Sequence, residues 1–263
     1  VMRIAEVRKL WPDAITQASI TLIEKIRGVS APLKMRPITV LSMIYRLWAK
    51  ARYVEMEAWQ ERWVPEQSYA SRRGKSAIKL ALDVALDIEE AHMKGEKCGG
   101  ISFDLEKAFD NIDRGVMEEV LRHRGMPEEA RNALLALYAQ IEARFALGAQ
   151  IDTHPITQRR GVVQGDSTSM LVLNAVYAVA IEIIEEEVRR DYPDVTVTPR
   201  TYADDIAVFA SGERGERVQG AVALAEELIR EFVRMMGGKV NEKKSYAFGD
   251  YTSVKLGHEE CFK

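Results

Sequence analysis

Along this chain apolar side chains either alternate with polar ones or recur every three to four positions, and the switches between the two periods mark out strands and helices. A polar amphipathic start leads into Ala18–Ile23, an extended run ending on Glu24 and Lys25, and a loop from Gly28 passes into an extended Leu33–Val40. Pro37 forbids a helix interior there and biases Arg36 toward extended backbone, so Lys34 and Arg36 fall on one face. Ser42 is a good N-cap for a helix bearing Ile44, Leu47, Trp48 and Ala51, and Pro65 ends that region. Gln67–Ser76 reads as a loop, followed by a helix from about Ala77 to Met93. After Gly99 and Gly100 comes a strand that reaches Asp104, then helices at Arg114–Arg124, stopped by Gly125, and beyond Pro127 through Leu134, Leu137, Tyr138 and Ile141. Ala143–Leu147 and Thr153–Gln158 read as a hairpin around Gly148, and a long apolar helix runs from about Ser167 to Arg189. A second hairpin has strands Thr198–Ala203 and Ile206–Ala210. Arg217–Met236 is an amphipathic helix closed by Gly237 and Gly238, after which Lys239–Phe248 returns as one strand and Ser253–Leu256 as another. The order predicts an α+β fold, an antiparallel sheet with helices packed on one face.

With 263 residues, 47% of them hydrophobic, the chain can form one large domain or two small ones. No apolar run is long enough to span a bilayer, so no membrane partner is expected, and the N-terminus lacks a signal-peptide layout. Cys98 and Cys261 stand far apart without metal-ligand spacing, which suits reduced thiols in an intracellular protein, nuclear or cytoplasmic. The net charge of -3 hides an asymmetry: residues 1–80 hold 15 Lys plus Arg against 7 Asp plus Glu, and the remainder 22 against 33. A basic first third can neutralise phosphates while an acidic remainder holds cations, although solvated helix faces give the same split.

Candidate chemistry gathers at Asp204 and Asp205, set between the two β-prone runs of the second hairpin. Turns favour Asp, so a solvated loop tip is one reading; a site faced by both carboxylates is the other. Asp104 ends a second strand-like run, and three carboxylates from two strands can gather the pair of divalent cations that in-line displacement at phosphorus uses. Gly74-Lys75-Ser76 invites comparison with a nucleotide-binding loop, but Tyr69 stands where that loop needs glycine and no apolar strand leads in. A phosphate-facing loop at a helix N-terminus and an ordinary solvated one both remain. Gly161 and Gly165 bracket Val162, Val163 and Gln164 just before a helix, which permits close approach of another backbone or a ligand, or simply a tight turn.

Taken together, these stretches resemble a reverse transcriptase, most similar to the group II intron and non-LTR retroelement branch. Leu33–Ile38 resembles the first fingers motif and Gln67–Ser76 the second, with one extra residue. Phe103-Asp104-Leu105-Glu106-Lys107-Ala108-Phe109-Asp110 matches palm motif A. Gly161–Met170 resembles motif B, with Val163, Ser167 and Met170 where the family usually has prolines. Tyr202-Ala203-Asp204-Asp205 is motif C, Gly238–Ser245 resembles motif D, and Lys255-Leu256-Gly257 resembles the start of the primer grip. The likeness runs from about Trp11 to Gly257, and its force lies in the order and spacing of motifs that are individually weak.

The resemblance implies the fingers and palm of a right-hand polymerase, with fingers in residues 1–98, palm in 99–263, and part of 114–160 returning to the fingers. The thumb would begin about where the chain stops, so it is absent from this stretch or supplied elsewhere. The implied reaction is extension of a DNA or RNA primer 3′-hydroxyl with dNTPs on an RNA template. Two Mg²⁺ ions, with Mn²⁺ as a substitute, are implied at Asp104, Leu105, Asp204 and Asp205. Lys244, with Lys243 close behind, would be the acid for pyrophosphate. Arg36, Lys34, Lys107, Ala108, Phe109 and Gln164 would surround the nucleotide, Phe109 as a gate against a 2′-hydroxyl. Arg72, Arg73, Lys75, Gly165, Tyr202 and Ala203 would lie along template and primer. Blander roles stand beside these: a surface ion pair for Arg36, a core ring for Phe109, a solvated lysine pair for Lys243 and Lys244. Two rival functions are an RNA-directed RNA polymerase and a silent scaffold that binds RNA or protein, against which the three intact carboxylates argue.

Overall fold

The computed structural model describes residues 2–25, 35–147 and 150–249. The expected loop at Gly28, Lys34, Gly148, Cys261, the expected strand at Ser253–Leu256 and the primer-grip residues Lys255, Leu256 and Gly257 lie outside them. In chain order the elements are α1 (Met2–Arg8), α2 (Asp13–Thr16), β1 (Gln17–Glu24), β2 (Met35–Val40), α3 (Met43–Gln60) and α4 (Ala77–Lys94). They continue with β3 (Lys97–Glu106), α5 (Ala108–Asn111), α6 (Arg114–His123), α7 (Glu128–Gln140), β4 (Glu142–Leu147) and β5 (Gln150–Ile151). The rest are α8 (Ser169–Asp191), β6 (Thr196–Tyr202), β7 (Asp205–Gly212), α9 (Gly215–Met235), β8 (Lys239–Val240) and β9 (Tyr246–Gly249). The chain divides into two compact units, one of residues 1–63 with 109–172, the other of residues 64–108 with 173–263.

In the first unit the sheet order is β2-β1-β4-β5. β1 and β2 pair antiparallel from Ser19 opposite Val40 to Glu24 opposite Met35, whereas β1 and β4 are parallel. The expected hairpin arm Thr153–Gln158 is not a strand: β5 is Gln150–Ile151, and the returning chain makes a single bridge between Ala143 and Ile156. Pro155 has no N–H for a ladder, and the Asp152 side chain takes the His154 N–H at 3.0 Å, which turns the backbone away. The core of this unit is aromatic. Trp11 meets Tyr45 and Trp48 edge-on and those two rings tilt against each other, with centroids 5.4–5.5 Å apart, and the Trp11 indole donates to the Ala133 carbonyl at 2.8 Å.

The second unit is built on β6-β7-β3, with β8 and β9 both pairing to the far side of β3, every pair antiparallel. The expected single strand Lys239–Phe248 is therefore two, interrupted at Asn241, whose carbonyl accepts from both Lys244 N and Ser245 N at 3.0 Å. Gly100 lies inside β3, where a Cβ would stand 2.3 Å from the Val208 carbonyl oxygen and 2.8 Å from the Phe248 ring. The face of Phe103 and Ile101 meets α9, whose Arg230 guanidinium lies 5.3 Å from the Phe103 ring, and Phe232 of α9 meets Tyr177 of α8. On the other face α4 covers one end of the sheet, Ala91 packing with Cys98 and Phe209. The far end of that face, toward Asp104, lines a hollow instead. Among the described residues no helix is long and apolar enough to cross a membrane.

Candidate active site

Motif C forms the hairpin expected from its sequence. Tyr202 pairs with Asp205, leaving Ala203 and Asp204 as a two-residue turn. Ala203 takes φ 55°, the left-handed region a primed hairpin turn demands at its first central position. Holding a residue with a Cβ there costs about 1 kcal/mol. On the other side of β7, Asp205 is the register partner of Asp104, at the end of the ladder that begins with Lys97 opposite Gly212. Directly opposed residues project to the same face, so two carboxylates far apart in sequence share one edge of the sheet. The buried Tyr177 phenol is pushed far up by its burial and then by the charges of Asp204 and Asp205.

Motif D wraps the first carboxylate. Asn241 donates its side-chain amide to Asp104 Oδ2 at 2.7 Å and its backbone N–H to the Asp104 carbonyl at 2.8 Å. The Asp104 N–H in turn donates to Ser245 Oγ at 3.2 Å, and Lys244 Nζ stands 3.3 Å from Asp104 Oδ1. Lys244 is two-thirds exposed, so its ion pair is worth under about 1 kcal/mol and opens readily. From sequence only the lysines of this motif stand out; Asn241 and Ser245 do not. The available signal was a short polar side chain on each side of a turn, the usual means of pinning a neighbouring backbone.

The donor set suits a hard divalent cation, since it consists of carboxylate oxygens. Asp205 is held above the ordinary carboxylate range by burial and then by the charges of Asp204 and Asp104, only partly offset by Lys244, so positive charge is favoured at this edge. Among the described residues, however, no group of three or more acidic, His or Cys side chains is already arranged as a metal cage. Asp104 instead satisfies its oxygens with Asn241 and Lys244. Leu105 is buried and pairs with Val240 of β8. Lys107 is exposed with φ 49°, and Ala108 is buried.

A hollow of about 410 Å³ opens beside the carboxylates, lined by Asp104, Asp205, Lys244, Tyr202, Ser102 and Arg200 among others. Arg200 is 6% exposed and donates to Asp87 at 2.5 Å, which anchors β6 to α4. The basic loop is folded on itself: Arg72 donates to the carbonyls of Pro65 and Ser68, and Lys75 to the Glu66 carbonyl and carboxylate. Arg73 is the exposed member of the three.

In the first unit Arg36 is exposed on β2, opposite Ile23. The motif B loop is clasped at several points. Val162 N–H donates to the Phe109 carbonyl and Gly161 N–H to the Ile112 carbonyl, both at 2.7 Å, while Thr39 N–H donates to the Gln164 carbonyl at 2.8 Å. Both glycines mark close backbone approaches: a Cβ on Gly161 would stand 2.2 Å from the Phe109 carbonyl oxygen, and one on Gly165 2.4 Å from that of Thr39. Phe109 and Gln164 are half-buried and Gly165 is exposed.

The second unit thus carries an antiparallel sheet on which Asp104 and Asp205 meet in register at one strand end. The model of the reverse transcriptase (RNA-dependent DNA polymerase) family matches residues 24–259, and the chain belongs to that family. Over 236 residues it is 26% identical to the Retrovirus-related Pol polyprotein from type-1 retrotransposable element R2 of Popillia japonica, covering 89% of this chain and 32% of that protein. It is 23% identical over 245 residues to the corresponding polyprotein of type-2 element R2DM of Drosophila melanogaster, covering 91% of this chain and 22% of that one. The chain thus spans about a third or less of these relatives. Among solved structures, telomerase from Candida albicans in complex with a fragment of telomeric RNA superposes with a TM-score of 0.65 at 12% identity, over 93% of this chain and 44% of that one, a likeness of fold.

Proposed function

We propose that this chain is the fingers-and-palm part of an RNA-directed DNA polymerase that extends a DNA or RNA primer with dNTPs on an RNA template. The reading is supported above all by the pairing of Asp104 with Asp205, with Asp204 at the adjoining turn. The fingers label attaches to the unit that holds β1, β2, β4 and β5 and the palm label to the unit that holds β3 and β6–β9; residues 64–98, expected with the fingers, lie in the second unit. Asp104, Asp204 and Asp205, with the Leu105 backbone, would hold two Mg²⁺ ions, or Mn²⁺ in their place, and the ions would supply activation of the 3′-hydroxyl and stabilisation of the leaving pyrophosphate.

The chain's own groups then have separate tasks. Asn241 orients Asp104, and Lys244, freed from its exposed ion pair, carries a proton on Nζ toward the pyrophosphate oxygen. Arg36 and Lys34 pair with triphosphate oxygens, the backbone amides of Lys107 and Ala108 assist, and Phe109 excludes a 2′-hydroxyl. Gln164 borders the nucleotide, while Gly165, Tyr202, Ala203 and Arg73 lie along template and primer, with Arg72 and Lys75 shaping the loop that carries Arg73. An intracellular setting and further domains beyond this chain belong to the same reading.

Primer extension on RNA and DNA templates, with Mg²⁺ or Mn²⁺, tests it. Wild type is expected to extend with dNTPs, and Asp204→Asn to lose roughly a hundredfold or more in rate. Equal rates for the two proteins would refute the assignment. Replacing Phe109 by Ala is expected to raise rNTP use; no gain would favour an RNA polymerase.

A further inference from the structure

Asp166 is a buried carboxylate with no part in the chemistry proposed above. Its Oδ2 accepts from three hydroxyls: Tyr45 of α3 at 2.9 Å, Tyr138 of α7 at 2.8 Å and Thr168 at 2.7 Å. Its Oδ1 accepts the Thr168 N–H at 3.1 Å. Burial pushes the carboxyl up from its ordinary value, and these bonds pull it back. Four donors with no cation among them suit an ionised carboxylate, which can only accept. Both tyrosines are fully buried, and Tyr45 is wedged against Trp11 and Trp48. The carboxylate therefore ties the end of the motif B loop to α3 and α7 through two buried tyrosines.

The other end of the loop is fixed as firmly. Arg114 donates to the Gly161 carbonyl at 3.1 Å and also to the carbonyl of Tyr138, the residue whose hydroxyl reaches Asp166. Between these anchors the loop holds the Phe109 carbonyl through Val162 and the Thr39 backbone through Gln164. We infer that Asp166 is a positioning residue for sugar selection: its hydroxyl network sets the spacing between the Phe109 ring and the Gln164–Gly165 peptide, and so the room left for a 2′-hydroxyl. The inference rests on the polymerase reading and deepens it.

Three variants, Asp166→Asn, Tyr45→Phe and Tyr138→Phe, test it by single-nucleotide insertion kinetics with dNTP and rNTP and by hydrogen exchange over residues 109–112 and 161–166. Asp166→Asn is expected to shift the rNTP-to-dNTP ratio of kcat/KM toward rNTP by roughly tenfold, because small misplacements near a reacting nucleotide are costly. The change should fall mainly on KM, with exchange faster in both segments and unchanged in β3 and β7. Each Tyr→Phe variant keeps its ring and loses one donor, so a shift of about threefold is expected, and these variants decide the matter if Asp166→Asn does not fold. Unchanged selectivity and exchange in an active protein, or an equal loss of kcat for both sugars, overturns the inference alone. A wild type that inserts neither sugar overturns the polymerase reading and this inference with it.

Discussion

Gly161→Ala offers a direct measure of how tightly the motif B loop is held. A Cβ at this position would stand 2.2 Å from the Phe109 carbonyl oxygen and 2.6 Å from the Asp110 backbone, so one backbone must retreat. Retreat breaks the bonds from Val162 N to Phe109 O and from Gly161 N to Ile112 O, in a buried setting. Two buried amides left unpaired cost about 1–3 kcal/mol each, so roughly 3 kcal/mol is a conservative sum. To this is added the left-handed backbone at φ +73°, worth about 1 kcal/mol for alanine. Gly125 supplies the control within the same unit: its φ is +67° and nothing lies within 4 Å of where a methyl carbon would stand, so Gly125→Ala carries the conformational cost alone. Urea and thermal unfolding of the two variants should differ by about 3 kcal/mol, or about 6–12 °C in Tm. A difference smaller than about 1 kcal/mol, the size of one ordinary hydrogen bond, would refute the close approach.

Three further outcomes follow from the second unit. Asp205 binds its proton more tightly folded than unfolded, so its ionisation costs stability as pH rises above the usual Asp value of about 4. Asp205→Asn should therefore be more stable than wild type at pH 7 and lose that advantage near pH 3, as read from urea midpoints. Mg²⁺ should raise the Tm of wild type, the gain reaching about 2.7 kcal/mol at a hundredfold excess over Kd, and Asp104→Asn should abolish most of it. Arg200→Met leaves Asp87 without its partner and should cost about 3 kcal/mol, most of it recovered when Asp87→Leu is added; no recovery would mean that packing, not the ion pair, dominates.

The motifs that carry local structure were legible because their cause is local. Alternation around Asp204 and Asp205 fixes a hairpin, and Ser76 before Ala77 begins a helix by accepting the Lys79 N–H. What was not legible depends on distant partners. Asn241 reaches Asp104 across 137 positions and Tyr45 reaches Asp166 across 121, and neither residue type announces its target. The broken strand at Asn241 has the same origin, since the run of Lys239–Phe248 reads as extended until the residue it must wrap is known.

The two motif B glycines mark the point where sequence stops and packing decides. Their spacing announced close approach but left open whether the visitor was a ligand or another backbone, and both visitors are backbone, from Phe109 and from Thr39. The loop is thereby pressed on two sides by its own chain, with Asp166 buried at one end and Gly161 at the other. Of the residues between, Val162 and Val163 are buried, so only Gln164 and Gly165 offer any surface to a nucleic acid or nucleotide. A loop held this way presents one peptide in one position, which is what discrimination by shape needs. That constraint is the route by which a buried carboxylate with no hand in the chemistry would govern which sugar is accepted.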